Sequence, residues 1–199
     1  MAYVIMGIGN PGAEYAKTRH NAGRMVAELL AREEGLEFAV KKSAEAIVAA
    51  GDIDGEKTVI ALPETYMNHS GRTAAALVKS KAAAKKLLVI RDELDMPLGA
   101  IKMTGPGRGS GGHKGAESIM RALKSKDFIQ MKIGISPATA KGKVKKPEAG
   151  EKVVKHVIGK FSPKEEALLK KTLARAAIAA RAFVTDGPAQ AMLIANTAP

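Results

Sequence analysis

Short apolar runs of strand length alternate along this chain with stretches whose apolar residues recur at helical spacing. No other feature restricts the fold as much. Ala2 to Ile8, residues 57–62, Leu87 to Arg91 and Gln130 to Ser136 read as strands, with another near 99–103. Between them, Ala22 to Glu34 sets Met25, Val26, Leu29 and Leu30 on one stripe, with Asn21 as its N-cap and Gly35 as its stop. Ser70 caps an alanine-rich helix to about Lys81, and a further helix covers about 115–124. Ser162-Pro163-Lys164-Glu165 joins an N-cap, a first-turn proline and a capping-box glutamate ahead of a long helix to Val184. A short helix follows from Pro188. This order predicts an α/β fold: a single domain over 1–199, with a mixed, mostly parallel twisted sheet flanked by helices. The runs at 44–50 and 57–62 add an antiparallel hairpin.

Two segments fall outside the alternation. Asp92-Glu93-Leu94-Asp95 reads as an acidic turn at the end of an inner strand. Residues 137–152, PATAKGKVKKPEAGEK, lack an apolar period and read as a mobile basic surface loop.

The string Gly7-Ile8-Gly9-Asn10-Pro11-Gly12 matches the glycine spacing of a dinucleotide fingerprint. That fingerprint needs a helix to begin within the glycines, so that its N-terminus faces the pyrophosphate. Here the helical period begins only near Ala22, after nine intervening residues, and the matching acidic position falls inside the first helix. A second match at Gly107, Gly109 and Gly112 shows how cheaply the spacing arises, and G-x-x-x-x-G-K-[ST] is absent. The chain therefore reads as one without a nucleotide cofactor. What remains is a turn at the carboxyl end of the first strand, where α/β sheets place their ligands. It presents the Asn10 amide, both donor and acceptor.

Charge points to the partner. Lysine and arginine outnumber aspartate and glutamate 32 to 20, a net charge of +12 that favours a polyanion, nucleic acid before an anionic membrane. No segment is long and apolar enough to span a bilayer, and residues 1–20 lack the basic start and apolar core of a leader. Cysteine is absent, which removes thiol nucleophiles and cysteine-ligated zinc and agrees with a cytoplasmic setting. The spacings of histidine and carboxylates carry no metal-binding signature.

Of the four histidines, His20 stands just before a helix, where a loop side chain reaches a cleft. Asp92 is expected at the same sheet edge, giving a pair in which the carboxylate fixes the imidazole tautomer. G-x-S-x-G is absent, so water is the expected nucleophile. Asn68 brings a second amide to that edge, beside Tyr66 and Met67. The glycine run Thr104 to Gly115 supplies free backbone amides with Arg108, His113 and Lys114, a combination suited to a phosphate or an oxyanion. These groups suit a hydrolase acting on an ester or amide attached to nucleic acid.

Seven blocks then carry a resemblance in order along nearly the whole chain. They are GIGNPG-x-x-Y-x-x-TRHN-x-G at 7–23, P-x-TYMN-x-SG at 63–71, RDELDMPLG at 91–99 and GSGGHKG-x-x-SI at 109–119. KIGI at 132–135, V-x-x-VIGKF at 154–161 and TDG at 185–187 complete the set. The chain resembles bacterial-type peptidyl-tRNA hydrolase. The resemblance implies a cofactor-free, cytoplasmic, monomeric enzyme that cleaves the ester between a peptide and the tRNA 3′ end, rescuing tRNA from aborted translation. It implies His20 as the base that activates water, Asp92 as its partner, and Asn10 and Asn68 as amides holding the peptide main chain. Tyr15, Tyr66 and Met67 would line the cleft, Lys132 would grip a tRNA phosphate, and the 137–152 loop would act as a lid or a tRNA contact. Two departures stand out: Lys114 replaces an asparagine of the family motif, and Thr104 lies where many members carry a second phosphate-gripping lysine, a role open to Lys102 or Arg108. The alternative from another class is a non-catalytic RNA-binding relative, like the family's chloroplast intron-splicing homologue.

Overall fold

The computed structural model describes residues 1–139 and 143–197. Seven strands form one sheet: β1 (Tyr3–Gly7), β2 (Phe38–Lys41), β3 (Ala46–Ile53), β4 (Glu56–Pro63), β5 (Leu87–Pro97), β6 (Ile101–Thr104) and β7 (Ile129–Ser136). Their order is β2-β3-β4-β1-β5-β7-β6. The inner pairs β4–β1, β1–β5 and β5–β7 are parallel, and the outer pairs are antiparallel. The mixed sheet expected from the alternation is therefore present, although its pairings divide evenly, three parallel and three antiparallel, rather than being mostly parallel.

Helices cover both faces. On one lie α1 (Ala22–Glu33), α6 (Pro163–Thr185) and α7 (Pro188–Asn196), burying Val26, Leu30, Ala176, Ala180 and Phe183 against Ile5, Ile60 and Ile90. On the other lie α2 (Gly71–Leu77) and α4 (Lys114–Leu123), packing Ala74 and Ile119 on Met6, Val89 and Phe128. Strand alternation makes this two-sided core, since successive side chains of β1 point to opposite faces. The edge strand β6 is shielded by α7, where Asn196 accepts from the Met103 N–H and donates to the Met103 carbonyl, pairing like another strand. No described helix is long and apolar enough to cross a membrane.

Several expected boundaries change. The acidic stretch is no turn: β5 runs on to Pro97, because β7 continues beside it and a register shift between Glu93 and Pro97 absorbs the extra residues. The alanine-rich helix after Ser70 stops at Leu77, and Ser80 caps a separate short α3 (Lys81–Ala84) by accepting from the Ala83 N–H. Neither Asn21 nor Ser70 caps through its side chain; Ser70 Oγ donates to the Met67 carbonyl instead. The 137–152 segment carries local structure among its described residues. Ala138 pairs with Val144, and α5 (Glu151–Val157) begins before the expected loop ends; residues 140–142 of that expectation lie outside the described residues. The capping box at Ser162 forms as expected, with the Glu165 carboxylate accepting from the Ser162 N–H.

Candidate active site

The carboxyl ends of β1, β4 and β5 meet at one edge, and the Gly7–Gly12 turn is tied there by a side chain. Asn21 Oδ1 accepts from the Asn10 N–H at 2.9 Å, and Asn21 Nδ2 donates to the Asn10 carbonyl at 2.9 Å. A Cβ on Gly9 would lie 2.7 Å from Asn21 Oδ1, so only glycine lets Asn21 approach this closely. Asn10 Oδ1 in turn accepts from the Met67 N–H at 2.9 Å, joining this turn to the loop after β4. That fixes the amide's orientation, because a backbone N–H can only donate. Asn10 Nδ2 is left without a hydrogen-bond partner among the described residues.

Beside it, Asp92 Oδ1 receives two imidazoles: His20 Nδ1 at 2.9 Å and His113 Nε2 at 2.8 Å. An ionised carboxylate only accepts, so both nitrogens carry hydrogen in these bonds. The neutral form of His20 therefore presents an unprotonated Nε2. The tautomer of His113 is fixed from the other side as well, because its Nδ1 accepts from the Ala116 N–H as the N-cap of α4. Burial disfavours the charged form of all three groups. For Asp92 the two imidazoles outweigh burial and hold its carboxyl well below the usual range. For His20 burial is opposed by the Asp92 charge and hydrogen bond, which together raise its pKa above the ordinary value, while Lys114 pulls it back. For His113 burial prevails and the pKa falls, so the ring remains a neutral donor. The ligand atoms of His20, Asp92 and His113 all lie within 4.8 Å of one another, so they are the residues that could hold a cation. A cation there would have to replace both hydrogen bonds to Asp92.

Residues not singled out from sequence build the support. Arg91 is almost fully buried. It donates from Nη1 to the Asp92 carbonyl and from Nη2 to the Ser110 carbonyl, and pairs with Glu93 at 3.2 Å. Gln130 Nε2 donates to the Arg108 and Gly109 carbonyls. These bonds pin the glycine run so that His113 meets Asp92. Arg19, beside the catalytic candidate, donates to the Ile135 carbonyl at 3.0 Å and to Glu165 at 2.7 Å. The available signal was a charged residue inside an apolar strand run, at Arg91.

His20, Asp92, His113 and Lys114 line one cavity of about 320 Å³ whose far wall is apolar, formed by Leu94 and by Val153, Val154, Val157 and Ile158 on and after α5. Tyr66 and Asn68 are exposed near this edge and Tyr15 is half-buried. Two expected substrate contacts point elsewhere. Met67 is buried in the core, where its sulfur occupies the space a Cβ on Gly115 would need, so its contribution to the edge is its backbone N–H. His113 turns inward to Asp92 rather than outward to a nucleic acid. Lys132 pairs with Glu93 at 3.2 Å and, with Lys102, Thr104 and Arg108, lines a neighbouring polar groove of about 770 Å³ that shares Glu93 and Asp95 with the His20 cavity.

An α/β sheet edge carrying a buried carboxylate–histidine pair, an unspent amide and an adjacent polar groove with three cations has the make-up of a hydrolase site. Residues 4–199 match the family model described as peptidyl-tRNA hydrolase. The peptidyl-tRNA hydrolase of Syntrophotalea carbinolica is 37% identical over 95% of this chain and 94% of its own. That of Desulforudis audaxviator is 40% identical over 95% of this chain and 90% of its own. The crystal structure of the Acinetobacter baumannii peptidyl-tRNA hydrolase superposes with a TM-score of 0.87 at 33% identity, covering 99% of this chain and 95% of that one. The chain belongs to the peptidyl-tRNA hydrolase family.

Proposed function

We propose that this enzyme hydrolyses the ester of peptidyl-tRNA with a water activated by His20, and so recycles tRNA from aborted translation. The observation that carries the mechanism is the His20 Nδ1–Asp92 bond of 2.9 Å, which leaves Nε2 as the proton acceptor. Water attacks the ester carbonyl carbon as its proton passes to Nε2, and the carbonyl π pair moves onto oxygen. When the tetrahedral intermediate collapses, the bond to the ribose oxygen breaks and His20 returns the proton to that leaving oxygen. A peptide carboxylic acid and a free tRNA hydroxyl result. Asp92 holds the ring in register and stabilises the transient imidazolium. Asn10 Nδ2 and the exposed Asn68 amide are the donors available to the peptide main chain, and the apolar wall of α5 suits its side chains. Lys132, Lys102 and Arg108 face the phosphates of the acceptor stem.

The single domain acts as a monomer in the cytoplasm, where its substrate arises, and the basic segment before α5 contacts the tRNA or closes over the cleft. Purified protein supplied with an N-acylaminoacyl-tRNA, without added cofactor, is expected to release the acylated amino acid over many turnovers. Tight tRNA binding with no turnover would favour the RNA-binding alternative instead.

A further inference from the structure

Among the described residues, the cavity beside His20 is lined by one cation without a hydrogen-bond or ion-pair partner. The other charged groups that line it are committed: Asp92 to both imidazoles, Arg91 to Glu93, and Asp95 to Lys146. Arg19, next to His20 in the chain, is paired with Glu165. His156, on α5, turns its ring to the Ile135 carbonyl. Lys114 is exposed, lines the same cavity, and makes no hydrogen bond or ion pair among the described residues. Local structure gives it no reason to be there. It is the first residue of α4, where the helix dipole disfavours an ammonium.

The reaction supplies a reason. Attack on the ester places a full negative charge on the former carbonyl oxygen. His20 is then occupied with the water's proton, and the ionised Asp92 repels that charge. A neutral amide such as Asn10 Nδ2 gives one ordinary hydrogen bond, whereas a bond from an ammonium is roughly twice as strong.

We propose that Lys114 is a further catalytic residue of this chain, its ammonium stabilising the oxyanion formed on the ester carbonyl. The inference rests on the hydrolase reading above. The ammonium donates a hydrogen bond and keeps its proton; the oxyanion's pair returns to carbon as the bond to the ribose oxygen breaks. Since the charge exists only at and near the transition state, Lys114 acts on kcat rather than on KM. Its charge has a second effect. It opposes the imidazolium of His20 and so offsets part of the rise imposed by Asp92, keeping the base neutral to lower pH.

The test compares wild type, Lys114→Met, Lys114→Arg and His20→Ala on N-acylaminoacyl-tRNA, with kcat and KM followed through the titration of His20. Lys114→Met keeps the aliphatic stem and loses the charge, and an exposed, unbonded side chain leaves the fold intact. Its kcat is expected to fall by about 10²–10³, the loss typical of one oxyanion donor, with KM little changed. Its acid limb is expected to move to higher pH, while Lys114→Arg retains most of the rate. A Lys114→Met enzyme with the wild-type kcat, or one altered in KM alone, overturns the proposal. If wild type hydrolyses and His20→Ala does not, while Lys114→Met matches wild type, only the role of Lys114 is lost. A wild type without turnover overturns the hydrolase reading itself.

Discussion

At the scale of single residues, Asp92 is the hinge of the site because one of its oxygens serves two imidazoles with different tasks. His113, neutral and anchored to the start of α4, holds the carboxylate; His20 uses it. Asp92→Asn retains the volume but offers an N–H where an acceptor is needed, so His20 is held in the wrong tautomer or released. We expect kcat to fall by about 10²–10⁴, and the thermal midpoint to fall with it because the buried imidazoles lose their charged acceptor, measured by single-turnover release alongside calorimetry. The pH dependence follows from the same contacts. The base must be neutral, and the His20 pKa is raised, so kcat/KM is expected to climb with pH through a value above that of an ordinary imidazole. An acid limb at or below the ordinary value would contradict that coupling. The linkage with stability has opposite signs at the two partners. Asp92, held low, contributes stability above the normal carboxylate range that is lost as pH falls through its depressed value. His20, held high, contributes stability below the normal imidazole value that is lost as pH rises through its raised one. The His20–Asp92 pair was legible in sequence because His20 closes the connection from β1 to α1 and Asp92 follows the apolar run of β5, which brings both to one sheet edge. The inward turn of His113 was not, since it depends on Arg91 and Gln130 drawing the glycine run down by bonds to its carbonyls.

At the scale of elements, α1 places His20, and α1 is placed by a glycine. A Cβ on Gly23 would lie 2.1 Å from the Ile90 carbonyl oxygen, a backbone atom of β5 that cannot give way. Gly23→Ala is expected to push the first turn of α1 off the strand that carries Asp92. Its stability should drop by the upper part of the roughly 1–3 kcal/mol that overpacking costs, with activity lost in parallel, read from urea midpoints and turnover. Unchanged midpoints would show that α1 is not seated by this contact. The long helices α1 and α6 and the buried strands were readable from periodicity and caps. The errors came where tertiary partners overrule local signals. Asn21 looks like an N-cap but spends its side chain on Asn10, and the acidic run looks like a turn but is held extended by β7. Elements of four to seven residues, β2, α3 and α5, are too short to show a period.

For the whole molecule, a net charge of +12 has to be weighed against where the cations sit. Lys102 and Lys132 face each other directly on β6 and β7, a like-charge pairing that a phosphate between them would relieve. Glu93 pairs with Lys132 at 3.2 Å and offsets its charge. Binding of a catalytically inert peptidyl-tRNA analogue is therefore expected to weaken linearly in log–log plots against salt, with a slope of about −0.7 to −0.9 per phosphate engaged. Lys102→Ala should make that slope shallower by about one such unit. A salt-independent affinity would remove the groove from the substrate path. The Gly7–Gly12 string also belongs to this scale, since Gly7 lets α1 pack closely on β1 and Gly9 lets Asn21 approach the turn. The account as a whole stands on one base. His20→Ala, assayed at saturating peptidyl-tRNA beside wild type, is expected to lose about 10²–10⁴ in kcat while still binding the substrate; a variant that turns over at the wild-type rate would contradict it.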